Sequence, residues 1–558
     1  MTLKKLTLPE ILEQSCTLYP DNLSLNFVVG GTRTYRQLHR EVIALAHHLR
    51  GLGVVQGDKV AILSASMPNW GIAQFAIAAL GAIAVPVLPG FSSVELQNIL
   101  QHAEVKAIFI SQLLVKTLEG VEAPLLRHRI LINSFATIPA GCYSPEEIDK
   151  LVPDIDMTND APLPPVLVEE EDIASIIYTS GTTGLSKGVV LTHKNLVWNA
   201  QQSHTIQPVH ERDRFLSILP MAHTFENTLG LLLPLIFGAS VYYLDRVPTP
   251  KLLVPAMQKV RPTLMLSVPL IIEKIYKMQV VPALERAAWL RLVGRTTIGK
   301  RLLHRLAGRK LMKTFGGELV FFGIGGAKLD ATVERFLREA RFPYAIGYGL
   351  TETSPLVAGA NASQTFFQGV GPILQGVSVR IDRPDEQGEG EILIKGPSVM
   401  RGYYRRPELD AEAFTEEGWF RSGDLGSLDA LGRLTIRGRI KTMILGSSGE
   451  NIYPEEIESI INNCRFVDES LVVEKSGRLV AMVHFNMEEL EKHYRHLKSQ
   501  AENYKTIAGE YLEELQQEIR EYVNARVNNF SKLQLVVVQH EPFEKTPSMK
   551  IKRFLYNK

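Results

Sequence analysis

YTSGTTGLSKGVV, residues 178–190, is the stretch on which the reading of this chain turns. It follows an apolar, β-branched run at 173–177 and gathers threonines, serines, glycines and Lys187 into one short loop. Backbone N–H groups, hydroxyls and an ammonium presented in this way can surround a polyphosphate. The spacing departs from the widespread G-x-x-x-x-G-K-[ST] loop. Counted from Gly181, Ser186 stands where that pattern needs glycine, and Gly188 follows Lys187 where it needs Ser or Thr. An ordinary kinase or GTPase loop is therefore disfavoured. A glycine- and threonine-rich surface hairpin would explain the composition, but not so long a motif directly after a buried strand.

The bulk properties suit a large enzyme. At 558 residues the chain exceeds what one hydrophobic core supports, so two or more domains are expected. Apolar content of 45% and charged content of 22% argue against wholesale disorder. Lys and Arg number 61 against 60 Asp and Glu, so no overall field attracts nucleic acid, and no reading motif for it is present. Cys16, Cys142 and Cys464 are too scattered for a metal cluster or disulfide framework, which suits a reducing compartment. The start, MTLKKLTLPEILEQ, meets acidic residues before any apolar run of signal-peptide length, so a cytoplasmic location is expected. The longest apolar tracts, 75–89 and 229–244, are short for a membrane span and contain Pro86 and Pro234. Buried helix–strand units explain them better.

Alternating α and β patterns run along most of the chain. Short buried strands are predicted at 60–64, 82–87, 106–110, 173–178, 214–219, 240–243 and 319–324, with helices at 35–52, 94–102 and 332–340 among them. A Pro- and acid-rich connector, 154–171, precedes the loop. Beyond Pro372 the strands shorten and glycine turns multiply, with strands at 378–381, 390–394 and 434–437. A second domain is predicted to begin near Gly438, with strands at 470–473 and 479–485. A helical stripe at 488–528 then steps by threes and fours, with Gly509 as the bend if it folds as two helices. Residues 286–313 hold nine Lys and Arg, no Asp or Glu, and interleaved apolar residues such as Trp289, Leu302 and Leu303. Such a segment can lie on an anionic membrane or dock an acidic partner; a solvated helix pair explains it equally well.

Further constellations belong to nucleotide chemistry. GYGLTET (347–353) offers Tyr348 as a flat face for a purine and Glu352 as a hard oxygen ligand for magnesium. GIGGA (323–327) ends a strand with residues small enough for a base to approach the backbone. RSGDLG (421–426) sets Asp424 in a glycine-flanked turn suited to ribose hydroxyls, and Arg439 can add a second contact. KTPSMKIKR (545–553) gathers cations near the C-terminus. Each is weak alone; together and in this order they are specific.

In that order the motifs resemble the adenylate-forming (acyl-activating, AMP-binding) superfamily over nearly the whole chain. LPMAHTFE (219–226), SVPLIIEKIY (267–276), GSSGENIYPEE (446–456) and TPSMKIKR (546–553) resemble the long-chain fatty acyl-CoA synthetases within it. The resemblance implies an α/β fold: a large multi-subdomain N-terminal adenylate-forming domain, 1–437, and a smaller mobile α+β C-terminal lid, 438–558. It implies that a fatty acid and ATP give acyl-AMP and pyrophosphate, and that the thiol of CoA then displaces AMP. Thr179, Ser180, Gly181, Thr182, Thr183, Gly184 and Lys187 would hold phosphates, and Thr179 and Glu352 would position Mg²⁺. Gly325, Gly326, Ala327 and Tyr348, with Gly349 beside them, would form the adenine slot. Asp424 and Arg439 would hold the ribose, and Thr351 the α-phosphate. Lys550 matches the catalytic lysine that bridges carboxylate and α-phosphate. His223 would line the carboxylate end of the acyl pocket, although a packed histidine in a buried turn is as good an account of it. Lys441 matches the hinge position, and Gly446, Ser447, Ser448, Gly449 and Glu450 would face the acceptor thiol.

Two departures stand out. The usual Ser-Gly-Gly-Ala-Pro-Leu reads Ile324 to Leu329 as IGGAKL, and Leu270 replaces the Arg of Val-Pro-Arg. Neither touches an inferred phosphate or metal ligand, and neither fixes acyl chain length. Alternative readings are an acyl-acyl carrier protein synthetase, docking its acidic carrier on 286–313, and a catalytically silent acyl- or nucleotide-binding protein. Peripheral contact of 286–313 with the inner membrane face is a further expectation.

Overall fold

The computed structural model describes residues 3–556 apart from 154, 160, 181–185, 247, 286–292, 446–450, 476, 492–503 and 548–549. Two large sheets carry the first 360 or so residues. In the eight-stranded sheet, Ile83–Val87, Lys59–Leu63, Val105–Ile110 and His128–Leu131 run parallel, as expected of β-branched runs separated by helices. Ile173–Ser180 joins them in parallel and turns back antiparallel into Ser186–Thr192. The described residues of the loop motif, 178–180 and 186–190, are thus paired flanks on two antiparallel strands at the sheet's far side, edged by Gly402–Tyr403. The seven-stranded sheet sets Leu25–Phe27, Ser240–Tyr243, Arg214–Ser217, Leu264–Ser267, Phe321–Ile324 and Tyr344–Gly349 side by side in parallel, then adds Leu356–Gly359 antiparallel.

The 75–89 and 229–244 tracts are helix–strand units, as expected. The first comprises helix Pro68–Ala79 and strand Ile83–Val87. The second comprises a π-helical turn, Phe225–Leu232, the short helix Leu233–Ile236 and strand Ser240–Tyr243. One large cluster of buried side chains, from Leu3 to Leu434, packs both sheets and the helices between them.

Short antiparallel strands then form a five-stranded sheet whose last strand, Arg433–Arg439, pairs with Phe420–Leu428. Beyond it, Val467–Lys475, Arg478–Phe485 and Leu535–Val538 make a three-stranded sheet with its own buried cluster, including Ile457, Ile461, Leu515, Ile519 and Val523. The helical stripe is partly observed as Tyr504–Asn524, which runs unbroken through Gly509. One interior glycine weakens a helix by only about 1 kcal/mol, and burial of Leu515, Ile519 and Val523 exceeds that.

Candidate active site

The hairpin is anchored from below by a helix cap. Thr192 ends its second strand and accepts from the Asn195 amide, while Asn195 Oδ1 accepts from the Thr192 amide, closing a capping box for helix His193–Ile206. Asn195 Nδ2 donates to the carbonyls of Pro397 and Val399 at 2.7 and 3.0 Å, which holds the approach to Gly402–Tyr403 against the hairpin. These bonds set three distant segments in register. Thr179 pairs with Lys187 across the hairpin, and Lys187 Nζ lies 3.2 Å from Glu352 Oε1 and bonds the Tyr403 hydroxyl. Tyr403 in turn donates to Glu352 Oε1 at 2.9 Å. Burial pushes the Glu352 carboxyl up, but Lys187 and the Tyr403 hydroxyl outweigh it and hold the group below its ordinary value. The result is a buried, ionised carboxylate. Thr179 Oγ1 is buried and has no hydrogen-bond partner among the described residues. Lys187, the cross-strand partner of Thr179, is the residue that contacts the ionised Glu352, and a hydroxyl and a carboxylate are hard oxygen donors of the kind Mg²⁺ prefers.

A second cluster forms where the seven-stranded and five-stranded sheets meet. Tyr348 OH donates to Asp424 Oδ2 at 2.8 Å, and Arg439 Nε lies 2.9 Å from Asp424 Oδ1, its register partner across the sheet. Asp424 is 4% exposed, and burial raises its pKa against the pull of Arg439. Tyr348 and Asp424 are therefore one unit. Gly325 and Gly326 follow strand Phe321–Ile324. Gly326 has φ +87°, and a side chain at Gly325 would stand 3.2 Å from the Phe225 ring. At Gly349 a Cβ would lie 1.8 Å from the Pro355 carbonyl, so only glycine fits the turn that presents Thr351 and Glu352. Ala327 lies exposed beside Gly326.

Lys550 arrives from the C-terminal segment. Its turn is closed by the Thr546 amide donating to the Lys550 carbonyl at 2.7 Å, and Pro547 sits against Gly90 of the large sheet's loop. The ammonium interacts with Arg439, Asp424, Glu352 and Glu455. Lys550 keeps contact with solvent, as a group in an open cleft does, yet surrounding protein lowers its pKa by desolvation, and Arg439 adds repulsion. The same ammonium acts on His223, whose pKa falls to about 4 mainly through burial. His223 is thus a neutral imidazole. Its Nδ1 accepts from the Phe225 amide at 3.4 Å, which leaves Nε2 as the donor.

The structure therefore brings together Thr179, Lys187, Glu352, Tyr348, Asp424, Arg439, His223, Gly325, Gly326 and Lys550. Lys441 stands just beyond the Arg439 strand, exposed. Gly181, Thr182, Thr183 and Gly184 fall outside the described residues, as do Gly446, Ser447, Ser448, Gly449 and Glu450. Tyr403 and Phe225 were not singled out from the sequence. The Gly402–Tyr403–Tyr404 string, a glycine before two aromatics, was the available signal for the first.

Departures from the family pattern also find a place. Lys328, where the pattern has proline, pairs with Glu456 at 2.5 Å across the gap to the C-terminal region. Leu270 is 49% exposed.

A family model for AMP-binding enzymes matches residues 12–404. The long-chain-fatty-acid–CoA ligase FadD15 of Mycobacterium bovis is 32% identical over 467 residues, covering 79% of this chain and 75% of that one. The long-chain-fatty-acid–[acyl-carrier-protein] ligase AEE15, chloroplastic, of Arabidopsis thaliana is 27% identical, covering 87% of this chain and 77% of that one. Among solved structures, the anthranilate CoA ligase AuaEII in complex with anthranoyl-AMP shares the fold, with a TM-score of 0.75 at 19% identity over 98% of this chain and 96% of that one. Sequence motifs, fold and these likenesses agree, and the chain belongs to the AMP-binding enzyme family.

Proposed function

We propose that this protein is a long-chain fatty acid–CoA ligase. A carboxylate oxygen of the fatty acid attacks the α-phosphorus of ATP, the bond to pyrophosphate breaks, and acyl-AMP forms. The sulfur of CoA then attacks the acyl carbonyl carbon, the bond to AMP breaks, and the thiol proton leaves to solvent. The observation that carries this reading is Lys550, a cation from the C-terminal segment, interacting with Asp424 and Glu352 of the nucleotide cleft. Two anions must meet in the first step, and a preorganised ammonium between them lowers the barrier. Lys187 and residues 179–184 hold the outer phosphates in this reading, Thr351 the α-phosphate, Tyr348 with Gly325, Gly326, Ala327 and Gly349 the adenine, and Asp424 with Arg439 the ribose. Neutral His223 donates from Nε2 toward the acyl carboxylate end. Thr179 and Glu352 are the residues that would hold Mg²⁺, which when bound neutralises charge on the pyrophosphate.

Residues 1–437 form the body in this scheme and 438–558 the lid. Lys441 is the hinge, and residues 446–450 face CoA after the lid turns. The test has two arms. Pyrophosphate-dependent exchange of label into ATP, dependent on both Mg²⁺ and a long-chain acid, is expected; no exchange with any acid makes the protein a silent binder. Product analysis with CoA and holo-acyl carrier protein side by side is expected to give acyl-CoA. Exclusive transfer to the carrier would reassign the acceptor, in keeping with the activity named for the Arabidopsis relative.

A further inference from the structure

We infer that the outward face of helix Thr297–Thr314 is a membrane-docking surface that lies on anionic lipid. The helix is seated by one side only. Leu303, His304, Gly308 and Leu311 are buried, and a side chain at Gly308 would stand 2.7 Å from Ala340, so the helix rests tightly on its neighbour Ala331–Ala340. His304 Nδ1 and Glu339 close the same interface at 2.7 Å. That seating fixes what faces outward. Ile298, Leu302 and Leu306, at i, i+4 and i+8, are 84%, 54% and 51% exposed and form one apolar stripe about 12 Å long. Arg301, Arg305 and Arg309 form the adjacent stripe, all exposed, and Lys310 and Lys313 continue it. Among the described residues no carboxylate pairs with any of these cations.

The chemistry separates a bilayer from an acidic protein. The whole chain is nearly neutral, at a formal net charge of +1, so attraction to an anionic surface has to come from a local field such as this one. Acidic proteins would satisfy the arginines, but an uninterrupted aliphatic stripe beside them gains only where it leaves water. An interfacial helix has that pattern, with arginines at the headgroups and leucines at the acyl boundary. No helix among the described residues is long and apolar enough to cross a membrane, so contact of this kind is peripheral. The surface is read from its own side chains. The proposed reaction adds only that its acid substrate partitions into bilayers.

The test is sedimentation of the full chain with vesicles of phosphatidylcholine alone, or of equimolar phosphatidylcholine and phosphatidylglycerol, at low and high salt. The wild type is expected to bind the anionic vesicles at least about tenfold better, and to lose that preference at high salt. R301E/R305E/R309E should abolish the preference; I298S/L302S/L306S should weaken binding about tenfold while keeping it. All six positions are exposed, so unchanged thermal midpoints and unchanged pyrophosphate exchange with a dissolved acid serve as controls. Equal binding to both vesicles at low salt overturns the inference, as does either triple variant binding like wild type. If charge reversal spares vesicle binding but abolishes transfer to holo-carrier protein, the face docks a protein and the inference fails. A protein that binds anionic vesicles but exchanges no pyrophosphate would keep this surface and overturn the proposed reaction instead.

Discussion

At the scale of single residues, two side chains carry separable parts of the proposed reaction. The backbone of Lys550 closes its own turn, its amide donating to Thr546 Oγ1 at 3.2 Å and its carbonyl accepting from the Thr546 amide at 2.7 Å, while its ammonium feels the charges of the site. Lys550→Ala should therefore leave folding intact and lower fatty acid-dependent pyrophosphate exchange by roughly 10²–10³-fold. Thioester formation from preformed acyl-AMP should change little. A normal exchange rate in the variant removes the lysine from the mechanism. Tyr403 acts differently. Its hydroxyl sits between Lys187 and Glu352, and it is 6% exposed. Tyr403→Phe keeps the packing and deletes the bridge, leaving the direct Lys187–Glu352 contact at 3.2 Å. Hydrogen bonds to charged groups are worth about 1.5–3 kcal/mol, so KM for ATP should rise roughly tenfold to a hundredfold with the fold unchanged. An unaltered KM would mean that Glu352 and Lys187 need no third partner. His223 supplies a check on pH dependence: with its pKa near 4, it stays neutral from pH 6 to 8 and cannot cause any activity change there.

At the scale of elements, the π-helical turn Phe225–Leu232 runs from the cleft into the core and carries a group with an unusual charge state. Glu226 is 2% exposed, its Oε2 has no hydrogen-bond partner among the described residues, and burial pushes its pKa to about 8. The Ser217 hydroxyl offsets part of that rise without closing a regular hydrogen bond. Gly230, one turn on, leaves the room, because a side chain there would stand 2.6 Å from Glu226 Oε1. The unfolded chain releases this proton near 4.5 and the folded protein holds it to about 8, so stability should fall as pH rises through that window. Glu226→Gln does not titrate. Wild type should lose roughly 1 kcal/mol per pH unit relative to the variant across the window, read from urea midpoints at several pH values. Parallel curves for the two proteins would mean that Glu226 is ionised in the fold. Nothing in AHTFE foretold this, because periodicity reports which residues are inside and says nothing of whether a buried acid finds a partner. Strand positions, by contrast, were legible: Ser240–Tyr243 matches its predicted limits, and Ile173–Ser180 runs two residues past its own. The extension comes from Thr179 and Ser180 pairing with Lys187 and Ser186, a register that a single strand does not advertise. Most cleft residues were legible too, because each lies in a compact string. Tyr403 was not: it meets Lys187 and Glu352 only through tertiary folding, with no local spacing to mark it.

At the scale of the whole molecule, the C-terminal region is held against the body by a few polar ties. Lys328 pairs with Glu456; Lys277 Nζ donates to the Val467 carbonyl at 2.6 Å; Tyr453 OH reaches Glu389 at 3.4 Å; Pro547 rests on Gly90. In this arrangement Lys550 feels the charges of Asp424 and Glu352, so the ties favour the orientation that the proposed reaction assigns to adenylation. A lid that turns to present residues 446–450 must break them. Polar ties suit that task better than a broad apolar interface, since each exchanges readily with water. The Lys328–Glu456 pair is the sharpest probe: it stands at a departure from the family pattern, and its side chains are 30% and 39% exposed. Partly exposed pairs are worth about 0.2–1 kcal/mol, so Lys328→Ala should shift the orientation equilibrium by no more than about fivefold. The sign is the informative part. Pyrophosphate exchange should fall by up to that factor, while CoA-dependent turnover of preformed acyl-AMP holds or rises, and Glu456→Gln should reproduce both effects. High salt should mimic the variants on wild type and leave the variants themselves unaffected. If both half-reactions fall together, Lys328 acts in the nucleotide site itself. If neither changes, the pair is a surface contact and the remaining ties, Lys277, Tyr453 and the Pro547 turn, set the lid's orientation.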